Sequence, residues 1–281
     1  MTTRTIDALR DSRGAFSMLA IDQRGSLRAM LAAAQGVDTV PDTDIIDFKV
    51  AVSRLLTPAA SAVLIDREFG AEAAKVAKCP IILAADILSA SVPGGPVDTA
   101  EIDDELTSEV IANFGAEALK MLVPWTPETR DAAVDLSARF MELCRQVDLP
   151  GIVEGVVRPA DIAEWSDERR DDALVTASQD LAQTKPDLYK AEIPSYGAGP
   201  ATFITATAKR ITDSLECPWV VLSSGVTANV FPSAVAASRA GGADGFLAGR
   251  AIWADAITAD DTLEFLKTIS VSRLTGLAAD G

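Results

Sequence analysis

The chain has 281 residues, 48% of them apolar, a formal net charge of −16 and no histidine. That acidity disfavours non-specific binding to nucleic acid or to an anionic lipid surface, so any anion site has to be local. Without histidine there is no Ser-His-Asp or Cys-His engine and no histidine-ligated metal, which leaves lysine, carboxylates, hydroxyls, backbone dipoles or a cofactor.

The three cysteines, Cys79, Cys144 and Cys217, are odd in number and widely spaced, as expected of reduced thiols in a cytoplasm. No stretch approaches the roughly 20 apolar residues of a membrane helix, and the N-terminal MTTRTIDALRDSRGAF lacks the apolar middle of a signal peptide. A cytoplasmic protein with neither membrane nor nucleic acid as partner is expected.

The first β-rich apolar run is AFSMLAID at residues 15–22, followed by the helical DTDIIDFKVAVSRLL at 42–56 and a second run, SAVLID, at 61–66. The third run is PIILAAD at 80–86, and after it SASVPGGPVDTAEIDD, 89–104, is the longest irregular segment and reads as a rim or lid element. Then come ALKMLVPW at 118–125, a helix over 127–148, GIVEGVV at 151–157, a helix from SDERRDDALVTASQDLAQ, and DLYKAEIP at 187–194. The helix PATFITATAKRITDSL, the run PWVVLSSG at 218–225, the helix FPSAVAASRAG and the run GFLAGRAIW at 245–253 complete the series. Eight strand-like runs alternating with amphipathic helices predict an α/β fold, a (β/α)8 or TIM barrel in which residues 1–281 form one domain. A doubly wound open sheet is the competing fold, but no G-x-G-x-x-G follows the first strand.

In such barrels the C-terminal strand ends build the active site. Asp22 ends the first run, Asp66 the second and Asp86 the third; Lys120, Glu154, Lys190 and Glu192 lie in the fourth to sixth. Strand alternation puts Leu188, Lys190 and Glu192 on one face, with Ala191 and Ile193 on the other, which predicts that Lys190 and Glu192 point into the barrel. An unpaired charge in an apolar run costs several kcal/mol, so Lys120, Glu154 and Lys190 should be neighbours. A structural salt-bridge network is the bland alternative. The chemical one is a lysine nucleophile: burial and a second cation, Lys120, favour the neutral amine, and Glu154 moves protons while a Schiff base forms.

The last two strand ends resemble an anion cradle. LSSGVTANVF brings Ser223, Ser224 and Gly225 to the seventh, and Gly249 and Arg250 follow the eighth, where barrels often hold phosphate. At the first strand's mouth, beside Asp22, Arg24, Ser26 and Lys49 are candidates for binding the far end of a substrate, with Asp86 as a further contact.

In these residues the chain resembles the class I aldolases of the tagatose-bisphosphate aldolase group, and among them the sulfofructosephosphate aldolases. The similarity runs over most of the chain and is densest at MLAIDQRGSLRAML, IDFKVAVSRLLTPAASAVLIDREFG, LYKAEIPSYGAGP and PWVVLSSGVTANVFPSAVAASRAGGADGFLAGRAIWA. The resemblance implies cleavage of a phosphorylated ketose, 6-deoxy-6-sulfofructose 1-phosphate, to dihydroxyacetone phosphate and sulfolactaldehyde. Tagatose or fructose 1,6-bisphosphate is the alternative, since DQRGSL occurs in both groups. It implies a Schiff base on Lys190 with no cofactor and no metal, and proton transfer by Glu154 and Lys120. It also implies hydroxyl contacts from Asp22 and Gln23, and phosphate binding by Ser223, Ser224, Gly225, Gly249 and Arg250. A homo-oligomer is expected. Two competing readings are another lysine-dependent barrel enzyme and a non-catalytic sugar-phosphate sensor; dehydroquinase chemistry of the lysine type needs a histidine that is not here.

Overall fold

The computed structural model describes residues 5–91, 97–223 and 225–279. In chain order the strands are β1 (Phe16–Ala20), β2 (Val63–Ile65), β3 (Ile81–Ala84), β4 (Asp86–Ser89), β5 (Thr99–Ile102), β6 (Ala116–Trp125), β7 (Gly151–Val157), β8 (Leu188–Glu192), β9 (Trp219–Leu222) and β10 (Gly245–Ala248). β4 and β5 stand apart; the other eight close into a barrel in the order β1-β10-β9-β8-β7-β6-β3-β2. Every adjacent pair is parallel. All eight predicted runs thus supply the eight barrel strands.

The helices are α1 (Gly25–Gln35), α2 (Asp42–Leu56), α3 (Ala71–Val76), α4 (Ser108–Phe114), α5 (Arg130–Gln146), α6 (Asp167–Ala182), α7 (Ala201–Ser214), α8 (Phe231–Ala240), α9 (Arg250–Trp253), α10 (Thr262–Phe265) and α11 (Val271–Ala279). Strands so enclosed are apolar on both faces: β1, β7 and β8 are buried at every residue. One face packs under the helices. α5, for example, buries Ala133, Leu136, Phe140, Met141 and Cys144 at helical spacing. It comes so close to the start of β7 that a Cβ on Gly151 would lie 2.6 Å from the Met141 sulfur, so a larger residue there would have to displace the Met141 side chain. The other face fills the barrel with a separate apolar cluster that includes Phe16, Met18, Leu64, Ile152 and Leu188. Leu9, from the single 3₁₀ turn Ile6–Leu9, belongs to that interior cluster and closes the N-terminal end.

Two segments differ from expectation. The stretch expected to be irregular after β3 forms an antiparallel hairpin, Asp86 opposite Ile102 through Ser89 opposite Thr99, while residues 92–96 lie outside the described part. Asp86 therefore begins a rim strand and does not end a barrel strand. The eighth run stops at Ala248, and Arg250 opens α9. Burial pushes the Cys79 and Cys217 thiols up to about 12 and about 11, and Cys144 is buried, which suits packing better than reactivity. Among the described residues no helix is long and apolar enough to cross a membrane.

Candidate active site

Toward the C-terminal end the barrel interior changes from apolar to charged. Glu154 and Lys190 sit opposite each other in the β7–β8 register, one inward position beyond Ile152 and Leu188, and Lys120 lies on β6 opposite Ile152. Strand parity places all three inside, as it predicted for Lys190, and they are neighbours, as the cost of an unpaired charge predicted. All are at least 95% buried, with exposures of 1% for Lys120, 5% for Glu154 and 4% for Lys190.

A single carboxylate oxygen joins the two lysines: Glu154 Oε2 is 2.9 Å from Lys190 Nζ and 2.8 Å from Lys120 Nζ. Lys120 Nζ has two further carboxylates, Asp86 Oδ2 at 3.1 Å and Asp22 Oδ2 at 3.2 Å. Burial alone would favour the neutral amine of Lys120, but Asp86, Glu154 and Asp22 together raise its pKa, so it is a fixed cation. The reciprocal effect acts on the acids. Burial works against the Asp22 carboxylate, yet Lys120, Lys190, Arg24 and Lys49 hold its pKa down to about 2. Glu154 is likewise lowered against its burial, chiefly by Lys120 and Lys190. Lys190, whose ion-pair partner among the described residues is Glu154, differs from Lys120 in being held by one carboxylate and not three.

Asp86 is more central than a substrate contact at a strand end. Its Oδ2 also accepts the Leu122 backbone N–H at 2.9 Å, while its Oδ1 and its carbonyl oxygen each accept from the Arg24 guanidinium at 2.7 Å. It thereby ties the start of α1 and the rim hairpin to Lys120. Next to Arg24, the Gln23 Oε1 is buried with no hydrogen-bond partner among the described residues, an acceptor available to a hydroxyl donor. Ser26 is exposed on the first turn of α1.

Lys49, expected at the mouth, is not there. It is 0% exposed on α2, donates to the Ile21 carbonyl at 2.8 Å and is paired with Asp66, whose other oxygen accepts the Phe69 N–H at 2.8 Å. With its donors engaged and no surface, Lys49 anchors the end of β1 from behind. Glu192, two residues beyond Lys190 on β8, takes no part in the lysine cluster: its carboxylate accepts from Val157 N at 2.9 Å and pairs with Arg158 at 2.9 Å and Arg170 at 3.4 Å.

The candidate anion residues fall on neighbouring strands. Ser223, buried, follows β9, and Gly225 has φ +75°, a left-handed conformation that favours glycine; Ser224 lies outside the described residues. Gly249 joins β10 to α9, and a Cβ there would lie 2.4 Å from the Ala20 carbonyl oxygen, so the close approach to β1 needs glycine. Arg250 is exposed. Since β10 lies between β9 and β1, these turns border the rim that carries Asp22 and Gln23.

Several contributors were not marked by their sequence. Asp66 looked like an ordinary strand-end carboxylate. Arg170 and Asp171, on the buried face of α6, hold Ser195 and Tyr196 just beyond β8. The only hint was two charged residues within a buried helical stripe.

A family model described as DeoC/LacD family aldolase matches residues 16–255. Tagatose 1,6-diphosphate aldolase of Listeria monocytogenes (serotype 4a, strain HCC23) is 30% identical, the match covering 97% of this chain and 89% of that one. Tagatose 1,6-diphosphate aldolase 2 of Enterococcus faecalis is also 30% identical, over 90% of this chain and 83% of that one. Among solved structures, a fructose-bisphosphate aldolase from Slackia heliotrinireducens superposes with a TM-score of 0.69 at 16% identity, covering 98% of this chain and 86% of that one. An archaeal fructose-1,6-bisphosphate aldolase with its catalytic lysine bound to a carbinolamine intermediate gives 0.65 at 16%, over 95% of this chain and 96% of that one. These neighbours share the barrel fold. The chain is an aldolase. It belongs to the DeoC/LacD family.

Proposed function

We propose that Lys190 is the nucleophile of a retro-aldol reaction on a phosphorylated ketose, a ketose 1,6-bisphosphate of the tagatose or fructose type, giving dihydroxyacetone phosphate and a phosphorylated aldehyde. The observation that carries this is the one oxygen of Glu154 shared by Lys190 and Lys120 inside the C-terminal end of the barrel. Lys120 keeps its proton, so Glu154 sits between a permanent cation and the amine that must attack. The Lys190 nitrogen adds to the C2 carbonyl, whose oxygen takes up a proton to become the carbinolamine hydroxyl. Glu154 is placed to relay the proton with which that hydroxyl leaves as water. The iminium then accepts the electrons of the C3–C4 bond as the C4 hydroxyl loses its proton and the aldehyde departs. Protonation of the enamine and hydrolysis free the ketone. Asp22, ionised throughout the neutral range, and the unpartnered Gln23 Oε1 suit the substrate hydroxyls. Ser223, Ser224, Gly225, Gly249 and Arg250 are assigned to the ketone-side phosphate. The tagatose diphosphate aldolases at 30% identity support this substrate class.

The second reading is 6-deoxy-6-sulfofructose 1-phosphate. It is favoured by a cavity of about 260 Å³ at the rim whose arginines are already neutralised: Arg24 by Asp86, Arg28 by Asp42, and Arg67 by Asp103 and Glu105. A monoanionic sulfonate needs less uncompensated positive charge than a phosphate. Borohydride reduction with dihydroxyacetone phosphate should label Lys190 irreversibly and abolish activity. No adduct, or one on Lys120, would refute the assignment. A substrate panel separates the readings: a kcat/KM for either bisphosphate at least about tenfold above the sulfosugar phosphate favours the first, and the reverse order the second. Arg24→Ala should change that ratio.

A further inference from the structure

The strand carrying Lys190 runs into a turn that side chains resist. Ser195, Tyr196 and Gly197 have φ of 52°, 49° and 73°, three successive left-handed residues of which two are not glycine. Such a turn persists only where its surroundings enforce it, and α6 does so twice. Asp171 accepts the Ser195 backbone N–H at 2.7 Å on one oxygen and the Ser195 hydroxyl at 2.8 Å on the other. Arg170, 2% exposed, donates to the Ile193 carbonyl at 3.2 Å and sets its guanidinium carbon 3.6 Å from the Tyr196 ring centroid. Its Nε has no hydrogen-bond acceptor among the described residues, so the negative face of the ring supplies part of what a buried cation lacks.

The other side of this turn meets the loop after β9. A Cβ on Gly225 would lie 3.6 Å from Tyr196 Cδ1. A Cβ on Gly197 would be 3.0 Å from Ala234, 3.2 Å from Val226 and 3.4 Å from Val230, on the loop and helix that follow β9. The turn is therefore wedged between the end of the lysine strand and the start of the candidate phosphate loop, yet the Tyr196 ring remains 39% exposed. An aromatic ring fixed from behind and open in front, beside a glycine whose backbone can approach an oxyanion, is a wall for a bound group.

We propose that Tyr196 is a specificity-determining wall of the site for the phosphorylated end of the ketose, and that Asp171 and Arg170 are positioning residues that act through it. This rests on the reading that Lys190 forms the Schiff base and that the turns after β9 and β10 hold the phosphate. The division of labour follows from the geometry: Asp171 and Arg170 fix the turn and not the ammonium of Lys190, so their loss bears on phosphate recognition and not on the amine.

The test is borohydride labelling of Lys190 with dihydroxyacetone phosphate and with unphosphorylated dihydroxyacetone, alongside KM and kcat. In Tyr196→Ala and Asp171→Ala, the dihydroxyacetone phosphate concentration for half-maximal labelling should rise about tenfold, as expected for loss of an ordered aromatic contact. Labelling by dihydroxyacetone should stay within about twofold, KM for the ketose should rise by the same factor as half-labelling, and kcat should change little. Tyr196→Phe should behave as the parent, because the ring and not the hydroxyl is the wall. If Asp171→Ala does not fold, Ser195→Ala, which removes only the hydroxyl half of the clamp, should give a smaller shift of the same sign. Equal weakening for both ketones, or for neither, in Tyr196→Ala would overturn the proposal while leaving Lys190 as nucleophile. Failure of the parent enzyme to label at Lys190 would instead remove the reading beneath it.

Discussion

Two groups of buried lysines and carboxylates lie close together in this barrel, and they differ in what they leave undone. In one, Lys49 and Asp66 are both 0% exposed, and the remaining capacity of each is spent on the backbone, on Ile21 and Phe69. In the other, Lys120 and Lys190 share Glu154, while Asp22 and Asp86 lie within ion-pair distance of Lys120 and, among the described residues, not of Lys190. The first group is closed. The second is unevenly distributed, so that one ammonium is caged and its neighbour is tethered by a single oxygen. Burial of charge by itself therefore does not separate the two groups; the unequal sharing of counterions at a strand end does.

The contrast can be broken most severely at the tethered lysine. Lys190→Met should lower kcat by about 10⁴-fold or more, since no other amine is placed to form the adduct, whereas unfolding stability should change far less. Steady-state kinetics beside urea denaturation checks both. Glu154→Gln comes next: loss of its proton transfer should reduce kcat by roughly 10²- to 10⁴-fold, with slower borohydride labelling of Lys190 in rapid-quench experiments. In the closed group the effect should move from rate to stability. Asp66→Asn, which strands a buried ammonium, should cost about 3–5 kcal/mol in urea unfolding. The double replacement Lys49→Met with Asp66→Leu should recover much of that. If Asp66→Asn lowered kcat a thousandfold at unchanged stability, the distinction between the groups would fail.

The smallest expected effect is on acid stability. The Asp22 carboxyl is at about 2 in the fold, against the usual 3.8, because the cations around it outweigh its burial. Its contribution is fully present above about pH 4 and is lost as the pH falls toward 2, and its size is about 2 kcal/mol. Asp22→Asn should lose correspondingly less stability than the parent between pH 5 and 2, and an identical loss would count against the shift.

The barrel was legible because both faces of its strands are covered. β1, β7 and β8 read as continuous apolar runs, and the charges that interrupted β6, β7 and β8 stood out against that background. The pairing of Glu154 with Lys190 follows from the cost of an unpaired charge in an apolar run. The hairpin β4–β5 was hidden because its two short arms flank a Pro- and Gly-rich stretch that reads as loop. Lys49 misled for another reason. It lies four residues after Ile45 and three before Val52, within the buried stripe of α2, and that spacing, not nearness to Asp22 in sequence, sets where it points. The clamp of Asp171 on Ser195 could not be read at all, because left-handed backbone at a non-glycine residue leaves no mark on composition.

Among the described residues, Leu9 and the apolar residues above it floor the barrel, so Lys190, the proposed nucleophile, is approached from the rim. Entry and exit then use one passage. In cleavage through a lysine adduct the aldehyde half is cut free while the ketone half is still bonded to the protein, and the ketone cannot leave before hydrolysis. Traffic through a single opening is thus ordered by chemistry: the aldehyde departs past a tethered partner, and water must follow it in before the second product is let go.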